Sequence, residues 1–106
     1  MLDNNSKIYT IEELHSLLVP ICRKYGVYSV GVVGSYAKDT AKITSDIDLL
    51  IDFGDVNNFE KYCNFEDAIK LTLNNKEVDL IDVKYAEPEF SEELKSTEVR
   101  IYDHEQ

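Results

Sequence analysis

Positive charge is the scarcest ingredient of this 106-residue sequence: 11 Lys and Arg stand against 21 Asp and Glu, a formal net charge of −10. A surface that follows a phosphate backbone needs Lys and Arg, so direct nucleic-acid binding is not expected. Cysteine is almost absent. Cys22 and Cys63 form no C-x-x-C pair, and two cysteines make no disulfide framework. Each falls in a segment that reads as helix, which fits reduced, buried thiols. His15 and His104 lie far apart with no cysteine at ligand spacing, which argues against zinc. No apolar run approaches a membrane span, and Met1 to Asn5 lacks a basic region followed by an apolar stretch. A soluble cytoplasmic protein is therefore expected. Internal repeats, linkers and low-complexity segments are also missing. With 43% hydrophobic and 30% charged residues the composition is that of a globular protein, and the length suits one domain over residues 1–106.

What is present alternates between helical and strand patterns. Thr10-Ile11-Glu12-Glu13 reads as a capping box. Leu14, Leu17, Leu18, Ile21 and Cys22 then recur at helical spacing, predicting a helix over 11–25 that Pro20 should kink or end early and Gly26 should stop. Val27 to Val33 is β-branched and runs into Gly34, the pattern of a buried strand entering a turn. Ser35 to Lys38 should open a short helix, and Asp39 to Ser45 reads as loop. From Asp46 to Phe53 the chain alternates: Asp46, Asp48, Leu50 and Asp52 share one face, while Ile47, Leu49, Ile51 and Phe53 share the core face. Gly54 to Asn58 should turn. Phe59 to Leu73 reads as a helix with Phe59, Tyr62, Ile69 and Leu73 inward, ended by Asn74-Asn75. Glu77 to Val83 is a further strand, Pro88 to Lys95 a short helix, and Val99 to Tyr102 a final edge strand. The pattern predicts an α/β (α+β) fold, a small mixed sheet flanked by helices.

Three carboxylates and one turn carry the chemistry. Asp46 and Asp48 are two apart on a strand, so their side chains leave the same face. An EF-hand reading of Asp46, Asp48 and Asp52 fails, because the intervening positions are apolar and the loop glycine and closing glutamate are missing. Asp79 interrupts the apolar strand that starts at Val78, which is costly without a partner. Pairing of neighbouring strands would bring it opposite Asp46 and Asp48, and three convergent carboxylates hold Mg²⁺ while leaving positions for water and phosphates. Gly34 has no side chain, so backbone N–H groups can approach a phosphate. Ser35 adds a hydroxyl, and Lys38 lies one turn further on. An isolated Gly-Ser is more often a turn with an N-cap; the acidic strand eleven residues after Ser35 is what shifts that reading.

Gly34-Ser35-Tyr36-Ala37-Lys38, Ser45-Asp46-Ile47-Asp48-Leu49-Leu50-Ile51 and Val78-Asp79-Leu80-Ile81 together resemble the minimal nucleotidyltransferases of the DNA polymerase β-like superfamily. The resemblance implies that fold, with Gly34, Ser35 and Lys38 binding nucleotide. It implies Asp46 and Asp48 as ligands of two Mg²⁺ ions, Asp79 completing one metal site and helping to deprotonate the attacking hydroxyl, and ATP as substrate. Members often act as antitoxins paired with a helical HEPN ribonuclease toxin, some by transferring AMP to a toxin tyrosine. The expectation is thus a Mg²⁺-dependent adenylyltransferase antitoxin. The alternatives are a non-catalytic module that neutralises its partner by contact, and a metal-dependent glycosyltransferase, which the short chain and the Gly34-Ser35 turn oppose. The sequence departs from the family pattern at Asp39, where a glycine is usual. Aspartate is among the few non-glycine residues that tolerate positive φ.

Overall fold

The computed structural model describes residues 7–54, 58–74 and 76–105. Helix α1 (Ile11–Tyr25) opens on the anticipated capping box: the Thr10 hydroxyl accepts from the Glu13 N–H, and the Glu13 carboxylate accepts from the Thr10 N–H, each at 3.0 Å. Gly26 closes it in the left-handed conformation, φ 67°. Of the two effects expected of Pro20, a kink or an early end, the early end does not occur: the helix runs on to Tyr25. Pro20 and Ser16 are both exposed, so the Ser16 carbonyl that loses its i+4 donor faces water.

Four strands follow, separated by three more helices: β1 (Ser29–Val33), α2 (Gly34–Ala37), β2 (Ile47–Asp52), α3 (Phe59–Thr72), β3 (Val78–Asp82), α4 (Pro88–Thr97) and β4 (Val99–Asp103). The sheet order is β3-β2-β1-β4. β1 runs antiparallel to both β2 and β4, while β2 and β3 are parallel, so the sheet is mixed as the alternation implied. A parallel pair needs a long crossover, and α3 supplies it.

One face of the sheet carries Val30, Val32, Ile47, Leu49, Ile51 and Ile101. These form one buried cluster with Leu14, Leu18 and Cys22 of α1 and with Phe65, Ile69 and Leu73 at α3. The inward face of α3 differs from the expected one at its first turn. Phe59 is 81% exposed, and Phe65, absent from the expected set, is fully buried. Phe65 instead meets the rings of Tyr25 and Phe53 edge-on. The expected terminator Asn74 takes φ 56°, and Asn75 lies outside the described residues, as do residues 55–57 of the expected turn. Burial holds Cys22 as a thiol by pushing its pKa up to about 12; Cys22 and Cys63 are both free. Among the described residues no helix is long and apolar enough to cross a membrane.

The other face of β2 is less open than strict alternation suggests. Leu50, in phase with Asp48 and Asp52, is buried. It pairs with Gly31, and a Cβ at Gly31 would collide with the Glu98 side chain, so Glu98 lies across the sheet at this point. The Arg100 guanidinium grips Glu98 with two bonds, Nε to Oε2 at 3.1 Å and Nη2 to Oε1 at 3.3 Å. Glu98 has extended backbone just before β4 and stands two residues from Arg100, so both side chains fall on one side and the fork can close.

Candidate active site

Two strand ends and one turn build the site. β1 delivers Val33 opposite Asp48 in the antiparallel register, and the chain then turns at Gly34 with φ 70°. A Cβ at Gly34 would lie 2.5 Å from Asp48 Oδ2, so the Asp48 carboxylate rests directly against this glycine. Gly34 thus meets two demands at once, a left-handed backbone and a close approach. On the far side of β2, the parallel register places Asp48 beside Asp79. β3 is an edge strand, and Asp79 is exposed while Asp48 is half-buried. Asp46 precedes β2 and is exposed.

The electrostatics follow from this placement. Burial first, then the charges of Asp79 and Asp46, then a hydrogen bond with Asp79, push the Asp48 carboxyl from 3.8 up to about 6. All four influences disfavour the ionised form. Among the described residues no three Asp, Glu, His or Cys side chains are drawn close enough to enclose a metal ion. The arrangement is a paired Asp48–Asp79, with Asp46 acting on Asp48 through its charge rather than joining it in a closed set of three. The donor set, all hard oxygen with open sides, fits Mg²⁺.

A stability prediction follows for the protein in chelator. Asp48 has a folded pKa above its unfolded value, so its contribution is fully present below about 3.8 and is lost as pH rises through about 6. Asp48→Asn removes that loss. Solvent screens the partly exposed Asp48, so the difference is about 1 kcal/mol, or ~4–8 °C in Tm, in favour of the variant at pH 7.5. Melts in EDTA should show this gain shrinking toward zero near pH 4. An equal gain at both pH values would mean that the carboxylate is not under this strain.

The remaining residues of the motifs fall into supporting and exposed positions. α2 starts from Val33, which makes no side-chain cap, so Ser35 lies inside the turn rather than capping it. Among the described residues the Ser35 hydroxyl has no hydrogen-bond partner; its carbonyl accepts from the Thr40 N–H at 2.9 Å. Lys38 closes α2, its N–H donating to the Gly34 carbonyl at 3.2 Å, and its side chain is exposed. Asp39, where the family glycine is missing, has φ 59°, so aspartate does take the left-handed conformation. Ser45 accepts from the Lys42 N–H through its hydroxyl at 2.8 Å and donates its own N–H to the Lys42 carbonyl at 2.9 Å, which folds the loop leading to Asp46. Sequence reasoning missed Lys76. Its ammonium is buried and donates to the Ile43 carbonyl at 3.1 Å, tying that loop to the segment before β3. It missed Glu98 as well. Nothing in the sequence sets either residue apart from a surface charge.

This geometry can be set beside known proteins. Residues 17–106 match the family model described as polymerase beta, nucleotidyltransferase. The protein adenylyltransferase MntA of Thermococcus cleftensis is 34% identical over 76 residues, covering 68% of this chain and 76% of that protein. Among solved structures, a toxin–antitoxin with AMP-PNP superposes with a TM-score of 0.71 at 18% identity, covering 87% of this chain and 75% of the other. A complex of tri-AMPylated Shewanella oneidensis HEPN toxin with MNT antitoxin does so with a TM-score of 0.66 at 15% identity, covering 92% and 76%. At those identities the structures speak for the fold, and the family match and the archaeal relative for descent. The chain belongs to the polymerase β nucleotidyltransferase family.

Proposed function

We propose that this chain transfers AMP from ATP to a tyrosine hydroxyl of a HEPN ribonuclease toxin, and so acts as that toxin's antitoxin. The observation that carries the reading is the pairing of Asp48 with Asp79 directly against Gly34. It puts two acidic side chains and a phosphate-sized turn at one end of one sheet. The named activity of the archaeal relative and the toxin complexes among its structural neighbours point the same way.

In this reading each residue has a task. Gly34, lacking a side chain, lets backbone N–H groups approach the triphosphate, and the unengaged Ser35 hydroxyl donates to a phosphate oxygen. Lys38, exposed at the end of the turn, offsets negative charge on the nucleotide. Mg²⁺ ions held by Asp46, Asp48 and Asp79 would neutralise charge on the attacking and leaving oxygens. Asp79 sits on the edge strand, where an incoming tyrosine can reach it and give up its proton. The tyrosine oxygen then bonds to the α-phosphorus, the bond to the bridging oxygen breaks, and pyrophosphate leaves. In-line transfer requires the hydroxyl to be held in contact with the α-phosphate, so docking of the partner supplies the positioning.

Mass spectrometry of the toxin co-expressed with this chain tests the proposal. Toxin made with the wild type should carry one or more added AMP groups, and toxin made with Asp46→Asn should carry none. A toxin silenced equally by both forms, with no gain in mass, would mean neutralisation by contact alone.

A further inference from the structure

Among the described residues the sheet ends at two edge strands, β3 and β4, and they are finished differently. At β4 the pairing with β1 shifts register between Val30 and Gly31, and Arg100 is held by Glu98 and Asp103, so this edge is irregular and laced with charge. Both devices blunt an edge against further pairing. β3 has neither a register shift nor a basic residue: its pairing with β2 is unbroken from Val78 to Asp82, and residues 77–83 hold no proline, lysine or arginine. It also carries Asp79, one of the paired carboxylates. We propose that the outer edge of β3 is where the acceptor segment of the partner docks, as a fifth strand with its tyrosine opposite Asp79. The inference rests on the transferase reading above and says how the partner presents its hydroxyl.

The backbone of β3 is laid out for such a strand. The Glu77 carbonyl accepts from the Ile47 N–H at 3.0 Å, and the Val83 N–H donates to the Ile51 carbonyl at 2.9 Å. In a parallel ladder these two bonds fix the phase. Residues 77, 79, 81 and 83 turn their backbone groups toward β2, so Val78, Leu80 and Asp82 turn theirs outward. The Asp82 carbonyl is taken by the N–H groups of Tyr85 and Ala86. Among the described residues no hydrogen bond reaches the outward groups of Val78 and Leu80 or the Asp82 N–H. Donors and acceptors thus recur at every second residue, the spacing that an added strand satisfies. A helical segment has spent its backbone groups internally and could not use this edge.

Side chains then sort by face. A residue paired with Asp79 leaves the sheet on the same face as Asp79 and Asp48, because paired residues share a face. The added strand would lie two strand spacings from β2, roughly 9–10 Å. A serine or threonine hydroxyl there stays above its own strand, while a tyrosine can lean over Asp79 toward Asp48. The edge therefore selects tyrosine among hydroxyl side chains. Charge selects its neighbours: Glu77, Asp79 and Asp82 are the charged residues of 77–83, so Lys or Arg beside the tyrosine makes favourable cross-strand pairs.

The test is amide hydrogen exchange, read by NMR on the isotopically labelled full chain, alone and in complex with the unlabelled toxin. In the free chain Asp79 and Ile81 should exchange slowly, and Leu80 and Asp82 fast. In the complex Leu80 and Asp82 should slow by at least about tenfold. Leu80→Pro removes one outward N–H and none that bonds β2, a place where an edge strand accepts proline. The variant should bind Mg²⁺-AMP-PNP as the wild type does, yet add AMP to the toxin at least about tenfold more slowly. Unchanged exchange at Leu80 and Asp82 in a complex that gains AMP, or full transfer by Leu80→Pro, overturns the fifth strand and leaves the transferase reading standing. The exchange measurement uses the wild type, so it decides even if the proline variant does not fold. Slowing of the same amides in the free chain as its concentration rises would make the edge a contact between copies, which also overturns the proposal. Slowed exchange with no gain in toxin mass would support the docked strand and count against transfer instead.

Discussion

Asp48→Asn and Asp79→Asn are each expected to abolish AMP transfer, by about 10³-fold or more, the scale on which removal of one preorganised charge-stabilising group acts. Both changes keep volume and strand alternation and remove one negative charge. Asp48 lies between Gly34 and Asp79, so its loss separates the nucleotide turn from the other carboxylate. The Asp48 variant is the more informative, because stability and activity should move in opposite directions. Without metal at pH 7.5 it should melt above the wild type, since the strain that pushes its carboxyl up to about 6 is gone. A protein that is more stable and inactive cannot owe its inactivity to unfolding. Single-turnover transfer of α-labelled ATP into the co-purified toxin, measured beside the melts, would show both effects. Retained turnover in Asp48→Asn would sink the carboxylate-pair mechanism.

The sequence made much of this site legible because its parts are local. The Thr10–Glu13 box is a four-residue signal, and it starts α1 where it said. Asp46 and Asp48 are read by strand alternation, and Gly34 by its place at the end of a β-branched run. The pairing of Asp48 with Asp79 needed only that β2 and β3 lie side by side in parallel, which the long crossover through α3 allows. What was not legible depends on tertiary surroundings. Pro20 breaks helices when the freed carbonyl is trapped, and here water reaches it. Phe59 and Phe65 lie about 120° apart around α3, and packing against Tyr25 and Phe53 covers Phe65 while Phe59 stays exposed. Glu98 is buried because Gly31, far away in sequence, leaves room for it.

The second large effect is expected at Gly34, where a single methyl group tests how closely turn and carboxylate must approach. Gly34→Ala meets two penalties of different kinds. The left-handed backbone at φ 70° costs a non-glycine residue roughly 1–2 kcal/mol. The added Cβ would also stand 2.5 Å from Asp48 Oδ2, too close for any carbon–oxygen contact, so Asp48 or the turn must shift. A displacement of about 1 Å in a reacting constellation costs transfer on the order of 10²-fold. Gly26→Ala separates the two penalties. Gly26 has a nearly equal φ of 67°, but its Cβ would meet only Lys61 Nζ, at 3.6 Å. The Gly26 variant should therefore lose similar stability and keep its transfer rate, while Gly34→Ala loses both. Ser35→Ala should fall between them, since it removes one hydroxyl worth about 1 kcal/mol and leaves the backbone donors in place. Comparing transfer rates of the three variants at a temperature where all are folded would decide the matter. If Gly34→Ala transfers AMP as fast as Gly26→Ala, contact between the turn and Asp48 is not what sets the geometry of the reaction.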